Sequence, residues 1–324
     1  MPETIINAIN MALTEEMERD ERVVVFGEDV AETGGVFRAT EGLKDKFGGT
    51  RVVDTPLSEI AIAGGAVGLA VFGLRPVAEI QFSGFLPPAF DQLVTHASRM
   101  RWRTRGEWSA PMVVRTPYGA GIRALEHHSE SLEGAYAHIP GLKVVIPSTP
   151  YDSKGLLKAS IRDPDPVLFM EPKHVYRSIR EDVPDDPYAV ELGSAAVRRE
   201  GTDVSLFTWG AMARPTLAAA EDLAEEGIDC EVVDLRTLSP LDEDAIKASF
   251  EKTGRAVVVH EAPKTGGLAG EIIATIQEDV LLYQEAPIAR VTGFDVPFPL
   301  YALEDYYLPE PARIKDQIRE TVAF

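Results

Sequence analysis

Cysteine is almost absent from this chain. The one thiol, Cys230, lies in Asp229-Cys230-Glu231-Val232-Val233 and has no partner for an internal disulfide, which points to a reducing compartment, the cytoplasm. Acids flank it, so it reads as a small apolar strand residue and not as a nucleophile. Positive charge is scarce too. Lys and Arg number 32 against 52 Asp and Glu, a formal net charge of −20. That balance argues against nucleic acid or an anionic membrane as a partner. The acids are spread along the chain and Arg outnumbers Lys, which fits a halophilic source or an ordinary acidic cytosolic protein. No apolar run approaches ~20 residues, so no membrane-spanning helix is expected. Met1–Leu13 lacks a basic region ahead of an apolar core, so no signal peptide is expected. A Gly-x-Ser-x-Gly elbow is missing, which argues against a serine hydrolase. His260–Gly270 lacks Gly-x-Gly-x-x-Gly spacing and reads as a structural turn.

What is present is alternation. The 324 residues suggest two domains at roughly 150 residues each. A first helix is expected from Ile5, Ile6, Ile9, Leu13 and Met17 behind a Thr4 cap. Apolar runs at 23–26, 76–80, 112–115, 142–146 and 167–170 read as strands, with helices at 59–72, 88–100, 131–138 and 151–161 between them. A proline-rich, charged stretch from Pro172 to Leu192 reads as the linker. Beyond it, strands at 204–208, 230–235, 256–260 and 288–292 alternate with helices at 215–226, 241–252 and 268–280. The expected class is α/β: two open, mainly parallel sheets covered on both faces.

Several loops carry polar groups where such sheets bind ligands, at the carboxyl ends of strands. Glu28 and Asp29 follow the first strand; read alone, they are ordinary loop acids more often than a site. Glu59 opens a helix, where an acid suits the dipole. That helix is nearly free of bulk, with Ala61, Ala63, Gly64, Gly65, Ala66, Gly68 and Ala70. Interior glycine costs up to ~1 kcal/mol, so a close neighbouring backbone should offset it. A carboxylate at the head of such a helix would be partly desolvated and able to share a proton. Phe82 and Phe85 are either core or a stacking surface for a flat ligand. His127-His128-Ser129-Glu130-Ser131 places imidazole, the natural proton carrier, on a loop. The pair lacks nearby Cys and i, i+4 ligand spacing, so a metal centre is not expected.

In this order these runs resemble the beta subunit of the thiamine-diphosphate-dependent decarboxylase component of 2-oxo-acid dehydrogenases, the pyruvate, branched-chain and acetoin group, relatives of transketolase. The matching stretches include Gly27-Glu28-Asp29-Val30, Asp54 to Glu59, Gly73 to Glu79, His128-Ser129-Glu130-Ser131, Pro140 to Asp152, Arg236 to Asp242 and Thr292-Gly293-Phe294-Asp295. The resemblance implies a pyrimidine-binding domain over residues 1–180, a linker over 181–191 and a transketolase-type C-terminal domain over 192–324. It implies that Glu59 hydrogen-bonds the aminopyrimidine ring, that Phe85 packs against it, and that Glu28 and Leu57 also line the cofactor. It places His128 at the substrate end. Glu130 stands where the family has Gln, and Gly84 where it often has an acidic or aromatic residue.

The family's Gly-Asp-Gly motif for Mg²⁺ is missing here, so the resemblance implies that an alpha subunit holds that ion and completes the cofactor site in an α₂β₂ heterotetramer. It also implies a potassium site around Ile161, Asp163 and Asp165; as exposed turn acids, Asp163 and Asp165 have an equally good plain explanation. A lipoyl-bearing dihydrolipoamide acyltransferase is the expected acyl acceptor and partner. It would meet the second domain, where Glu304, Asp305, Glu310, Asp316 and the Phe324 carboxylate offer negative charge. The alternatives are an acetoin dehydrogenase beta subunit, a split transketolase-like transferase and an inactive structural subunit.

Overall fold

The run ending at Gly27 is apolar throughout because both of its faces are covered. In the computed structural model, which describes residues 2–324, it is strand β1 (Val23–Gly27). After it come β2 (Val52–Asp54), β3 (Arg75–Glu79), β4 (Val113–Tyr118), β5 (Lys143–Val145) and β6 (Val167–Pro172). The C-terminal half adds β7 (Ala196–Arg199), β8 (Val204–Thr208), β9 (Cys230–Asp234), β10 (Thr237–Ser239), β11 (Ala256–Pro263) and β12 (Ala289–Gly293). They form two sheets, ordered β10-β5-β6-β4-β3-β1-β2 and β12-β11-β8-β9-β7. All pairs are parallel except the edge pairs β10–β5 and β7–β9.

Alternate side chains of each strand enter opposite cores. Val23, Val25, Val77 and Val113 join the helix Ile5–Arg19, capped by Thr4, which packs on the helix Pro150–Arg162. Ala78, Val114, Val144 and Leu168 join the helix Glu59–Val71 and the segment Gln92–Ala97. In the second sheet, Leu206, Val232 and Val257 meet the helices Ala213–Ala224 and Pro311–Val322, while Phe207, Val233 and Val258 meet Glu243–Thr253 and Ala269–Asp279. Cys230 is buried in β9, and burial pushes its thiol up to about 12, which keeps it unreactive.

The structure departs from the sequence reading in several places. The single helix expected at 88–100 is a 3₁₀ turn at Pro87–Ala89, a π-helical turn at Gln92–Ala97 and a short helix at Met100–Arg103, because the prolines cannot donate and Ser98 N–H reaches the Leu93 carbonyl. The short edge strands β2 and β7 and the last helix were not expected. β10 comes from the second half of the chain yet completes the first sheet, pairing with β5. The stretch after Pro172 is not free: Glu3 and Glu181 form a β-bridge, and Tyr188 stacks on Tyr151 at 4.4 Å. Among the described residues no helix is long and apolar enough to cross a membrane.

Candidate functional site

The site grows from the carboxyl ends of β1 to β4. Glu28 follows β1, and Asp54, closing β2, accepts the amides of Ala31 and Glu32 at 2.7 and 3.2 Å, which shapes the loop beyond Glu28. Glu59 opens the helix Glu59–Val71 and is partly buried. The two acids are neighbours. Burial raises the Glu28 carboxyl, and the charge of Glu59 raises it further. Thr55 Oγ1, between them in the chain, is buried without a hydrogen-bond partner.

Beside this acid pair lies an aromatic cluster. Past β3 the chain turns through Ser83–Phe85, and past β4 through Glu126–His128. Phe82 lies 5.7 Å from Phe85 and 5.7 Å from Phe37, and Phe37 lies 5.2 Å from Tyr176. His128 meets Phe82 at 4.4 Å and Phe85 at 5.2 Å, both edge-on. Its Nδ1 is buried and unpaired. The Ser83 hydroxyl donates to the Glu130 carbonyl at 2.7 Å and locks the two turns together. Gly84 fits this contact: a Cβ there would fall 2.1 Å from the His127 carbonyl oxygen. Here the 83–85 and 126–128 turns touch backbone to backbone, which leaves no room for a side chain at position 84.

Underneath, a network that the sequence reading missed braces the strand ends. Arg115 donates to Glu171 at 2.7 and 3.1 Å and to Glu79 at 2.8 Å, all three buried, and Tyr176 donates to Glu171. The signal was available, since three charged residues interrupt otherwise apolar strands, but their convergence depends on sheet order.

The remaining expected residues lie elsewhere. Leu57 is 76% exposed, so this chain alone does not enclose it. With Ile60, Val71 and Phe72, also exposed, it opens an apolar face along the small-residue helix. Ile161, Asp163 and Asp165 sit at the opposite, amino-terminal edge of the sheet. Arg75 Nη1 donates to the carbonyls of Ile161 and Asp163 at 2.7 and 3.2 Å. The Asp163 carboxylate accepts from Lys143 at 2.6 Å and Asp165 from Arg101 at 2.7 Å. Among the described residues no three His, Cys, Asp or Glu side chains converge as metal ligands. His260, in the turn region read as structural, is stacked on Trp209 at 5.1 Å inside the core, and burial lowers it to about 4.

Comparison with known proteins decides the family. The model for the pyrimidine binding domain of transketolase matches residues 3–178, and that for the C-terminal domain of transketolase matches residues 193–314. The pyruvate dehydrogenase E1 component subunit beta of Acholeplasma laidlawii is 52% identical over 317 residues, spanning 98% of this chain and 97% of that one. The chain belongs to the E1 beta subunits of the 2-oxo-acid dehydrogenases.

Two Bacillus subtilis E1 beta relatives are nearly as similar. The pyruvate dehydrogenase subunit is 51% identical over 321 residues, covering 99% of both chains, and the 2-oxoisovalerate dehydrogenase subunit is 49% identical over 321 residues, covering 98% of both. The fold also matches a solved structure described as "Split gene transketolase, inactive beta4 tetramer", at a TM-score of 0.82 and 21% identity over 99% of this chain and 98% of that one. In this E1 beta subunit, then, the structure brings Glu28 to Glu59 and Phe85 to His128 on one rim, and leaves the 161–165 turn on the far edge.

Proposed function

We propose that this chain is the beta subunit of a lipoamide-acylating, decarboxylating 2-oxo-acid dehydrogenase acting on pyruvate or a branched-chain 2-oxo acid with thiamine diphosphate. The observation that carries it is near-complete, roughly half-identical likeness to subunits named for those substrates, with Glu59, Phe85 and His128 all present. We divide the chain into a pyrimidine-binding domain, 1–180, a linker, 181–191, and a C-terminal domain, 192–324. One unpaired cysteine suits the cytoplasm.

The residues fit the cofactor. A half-buried Phe85 ring offers a face to a flat heterocycle, and the unpaired buried atoms Thr55 Oγ1 and His128 Nδ1 await polar partners. When bound, thiamine diphosphate supplies the electron sink that 2-oxo-acid decarboxylation needs. Glu59 holds and returns one proton at its carboxylate. Glu28, its neighbouring acid, has its own carboxyl raised by burial and then by the charge of Glu59. Leu57 and the exposed helix face need a covering surface, which an alpha subunit in an α₂β₂ assembly would provide. His128, held edge-on by Phe82 and Phe85 and only half-buried, offers its imidazole to orient the 2-oxo acid or exchange a proton with it.

Mg²⁺ is assigned to the alpha subunit because Gly-Asp-Gly is missing here. Potassium fits the 161–165 turn poorly, because Arg75, Lys143 and Arg101 already occupy its oxygens. We assign the acyltransferase to the second domain, without Glu304 in its docking surface: that side chain is buried and committed elsewhere.

The test is co-expression with the alpha subunit, followed by CO₂ release from pyruvate and 2-oxoisovalerate with thiamine diphosphate and Mg²⁺. We expect release from at least one and transfer to a lipoyl domain. An assembled heterotetramer that releases CO₂ from neither, or that passes a two-carbon unit to a sugar phosphate, would overturn the reading.

A further inference from the structure

Between β4 and His128 the chain runs through a loop with little structure of its own. Gly119 and Gly121 have φ of +74° and +108°, and Arg123, which is not glycine, has φ of +53°. Such backbone persists only when its surroundings hold it. The hold comes from the other half of the chain. Glu261 Oε2 in β11 accepts the Ala120 N–H at 2.9 Å. Glu304 Oε1 accepts the Gly121 N–H at 3.0 Å, and its Oε2 accepts the Arg123 N–H at 3.1 Å. Both carboxylates are buried.

Three amide donors within four residues thus end on two acids from the second domain. A carboxylate receiving backbone N–H groups makes strong charge-assisted bonds, stronger away from water. The packing allows little else: a Cβ at Gly119 would lie 2.5 Å from the Glu261 carboxylate, and one at Gly121 2.4 Å from His174 Cα. On the solvent side Arg123 Nη2 pairs with Asp305 at 2.7 Å, and its guanidinium lies 5.5 Å from the Tyr301 ring. Five residues further the loop reaches His128. That imidazole lines a cavity of about 470 Å³ with Arg123, Ala124, Leu125, Leu300 and Tyr301.

We propose that Glu304 is a positioning residue, which by binding the amides of Gly121 and Arg123 across the domain boundary sets the 119–128 loop and so the direction in which His128 faces the cavity it shares with Leu300 and Tyr301. Glu261 supports it at Ala120. The functional consequence rests on His128 acting at the substrate end, as proposed above. The second domain is then part of the active site's frame as well as a unit of assembly.

The test uses the assembled holoenzyme with Glu304→Ala and Glu304→Gln, read by hydrogen exchange and by turnover. In Glu304→Ala the amides of residues 120–128 should exchange about tenfold faster or more, with β11 and β12 unchanged. Decarboxylation kcat should fall by about tenfold or more while the thiamine diphosphate Kd stays within about twofold. Glu304→Gln, which keeps one acceptor oxygen but turns an NH2 donor toward the other amide, should recover part of both. In a His128→Ala background, Glu304→Ala should cost less than about twofold further, because both act through one imidazole. Unchanged exchange overturns the clamp. Faster exchange with wild-type kcat, in an enzyme that His128→Ala does cripple, overturns the positioning role. If His128→Ala itself turns over normally, the His128 reading has failed, and exchange alone decides the clamp. Should Glu304→Ala not assemble, Asp305→Asn loosens the same loop from outside. A smaller change in the same direction supports the proposal, and none opposes it.

Discussion

The imidazole of His128 stands edge-on to Phe82, with ring centroids 4.4 Å apart at 63°, and its Nδ1 is buried without a partner. An aromatic wall that fixes a half-buried imidazole suits a group that works on a ligand. His128→Ala should therefore lower kcat by about 100-fold while leaving cofactor affinity within about twofold. Steady-state kinetics and cofactor titration on the heterotetramer check this. Collapsed affinity with normal turnover in the remaining holoenzyme would make the residue structural.

Glu59→Gln keeps the shape of the side chain and loses its proton. Turnover should drop by about 100-fold or more, with assembly judged by size-exclusion chromatography unaltered. Activity within about threefold of wild type would remove Glu59 from proton transfer.

The isolated chain should bind thiamine diphosphate weakly, because no Gly-Asp-Gly motif is present to hold Mg²⁺ against the diphosphate. Calorimetry at millimolar Mg²⁺ should show no binding tighter than about 100 μM, against micromolar binding once the alpha subunit is present. Micromolar affinity in the isolated chain would defeat the split-site reading.

Arg115 is bonded to both Glu79 and Glu171, and all three are buried. Arg115→Met should destabilise the fold by about 3–5 kcal/mol, since it strands two carboxylates in the core. Adding Glu79→Gln and Glu171→Gln should restore much of that loss. Denaturant melts of the three proteins decide the matter. A single variant as stable as wild type would show that the network braces nothing.

Glu133 is buried, with Oε1 accepting from the Tyr118 hydroxyl at 3.0 Å and from Trp209 Nε1 at 3.4 Å. Burial pushes its carboxyl from 4.5 up to about 6. The folded value lies above the unfolded one, so its contribution to stability is full below about pH 4.5 and fades as pH climbs through 6. At 1.36 kcal/mol per unit the loss is about 2 kcal/mol. Glu133→Gln has no such slope, so its melting temperature relative to wild type should climb between pH 4.5 and 6.5. Parallel pH curves for the two proteins would refute this.

Most of the sheet strands were legible because a strand buried on both faces must be apolar along its length, as at Val23–Gly27 and Val204–Thr208. The acid, aromatic and histidine loops were legible because they interrupt those runs where strands end. β2, β7 and β10 were not, being three or four residues long at sheet edges. The expected helix at 88–100 failed because apolar spacing does not distinguish a regular helix from 3₁₀ and π turns that bury the same face.

The amino-acid sequence by itself determined the class, the two-part alternation and the residues able to carry chemistry, because periodicity and residue type act over a few neighbours. Tertiary structure alone decided which of them meet. It joined Glu304 to Gly121, placed Arg115 between Glu79 and Glu171, took Glu304 off the surface, gave the 161–165 oxygens to Arg75, Lys143 and Arg101, and carried β10 into the first sheet. The physical reason is shared by all five. Each pairs groups distant in sequence, and their energies depend on burial and geometry that exist only once both sheets have packed.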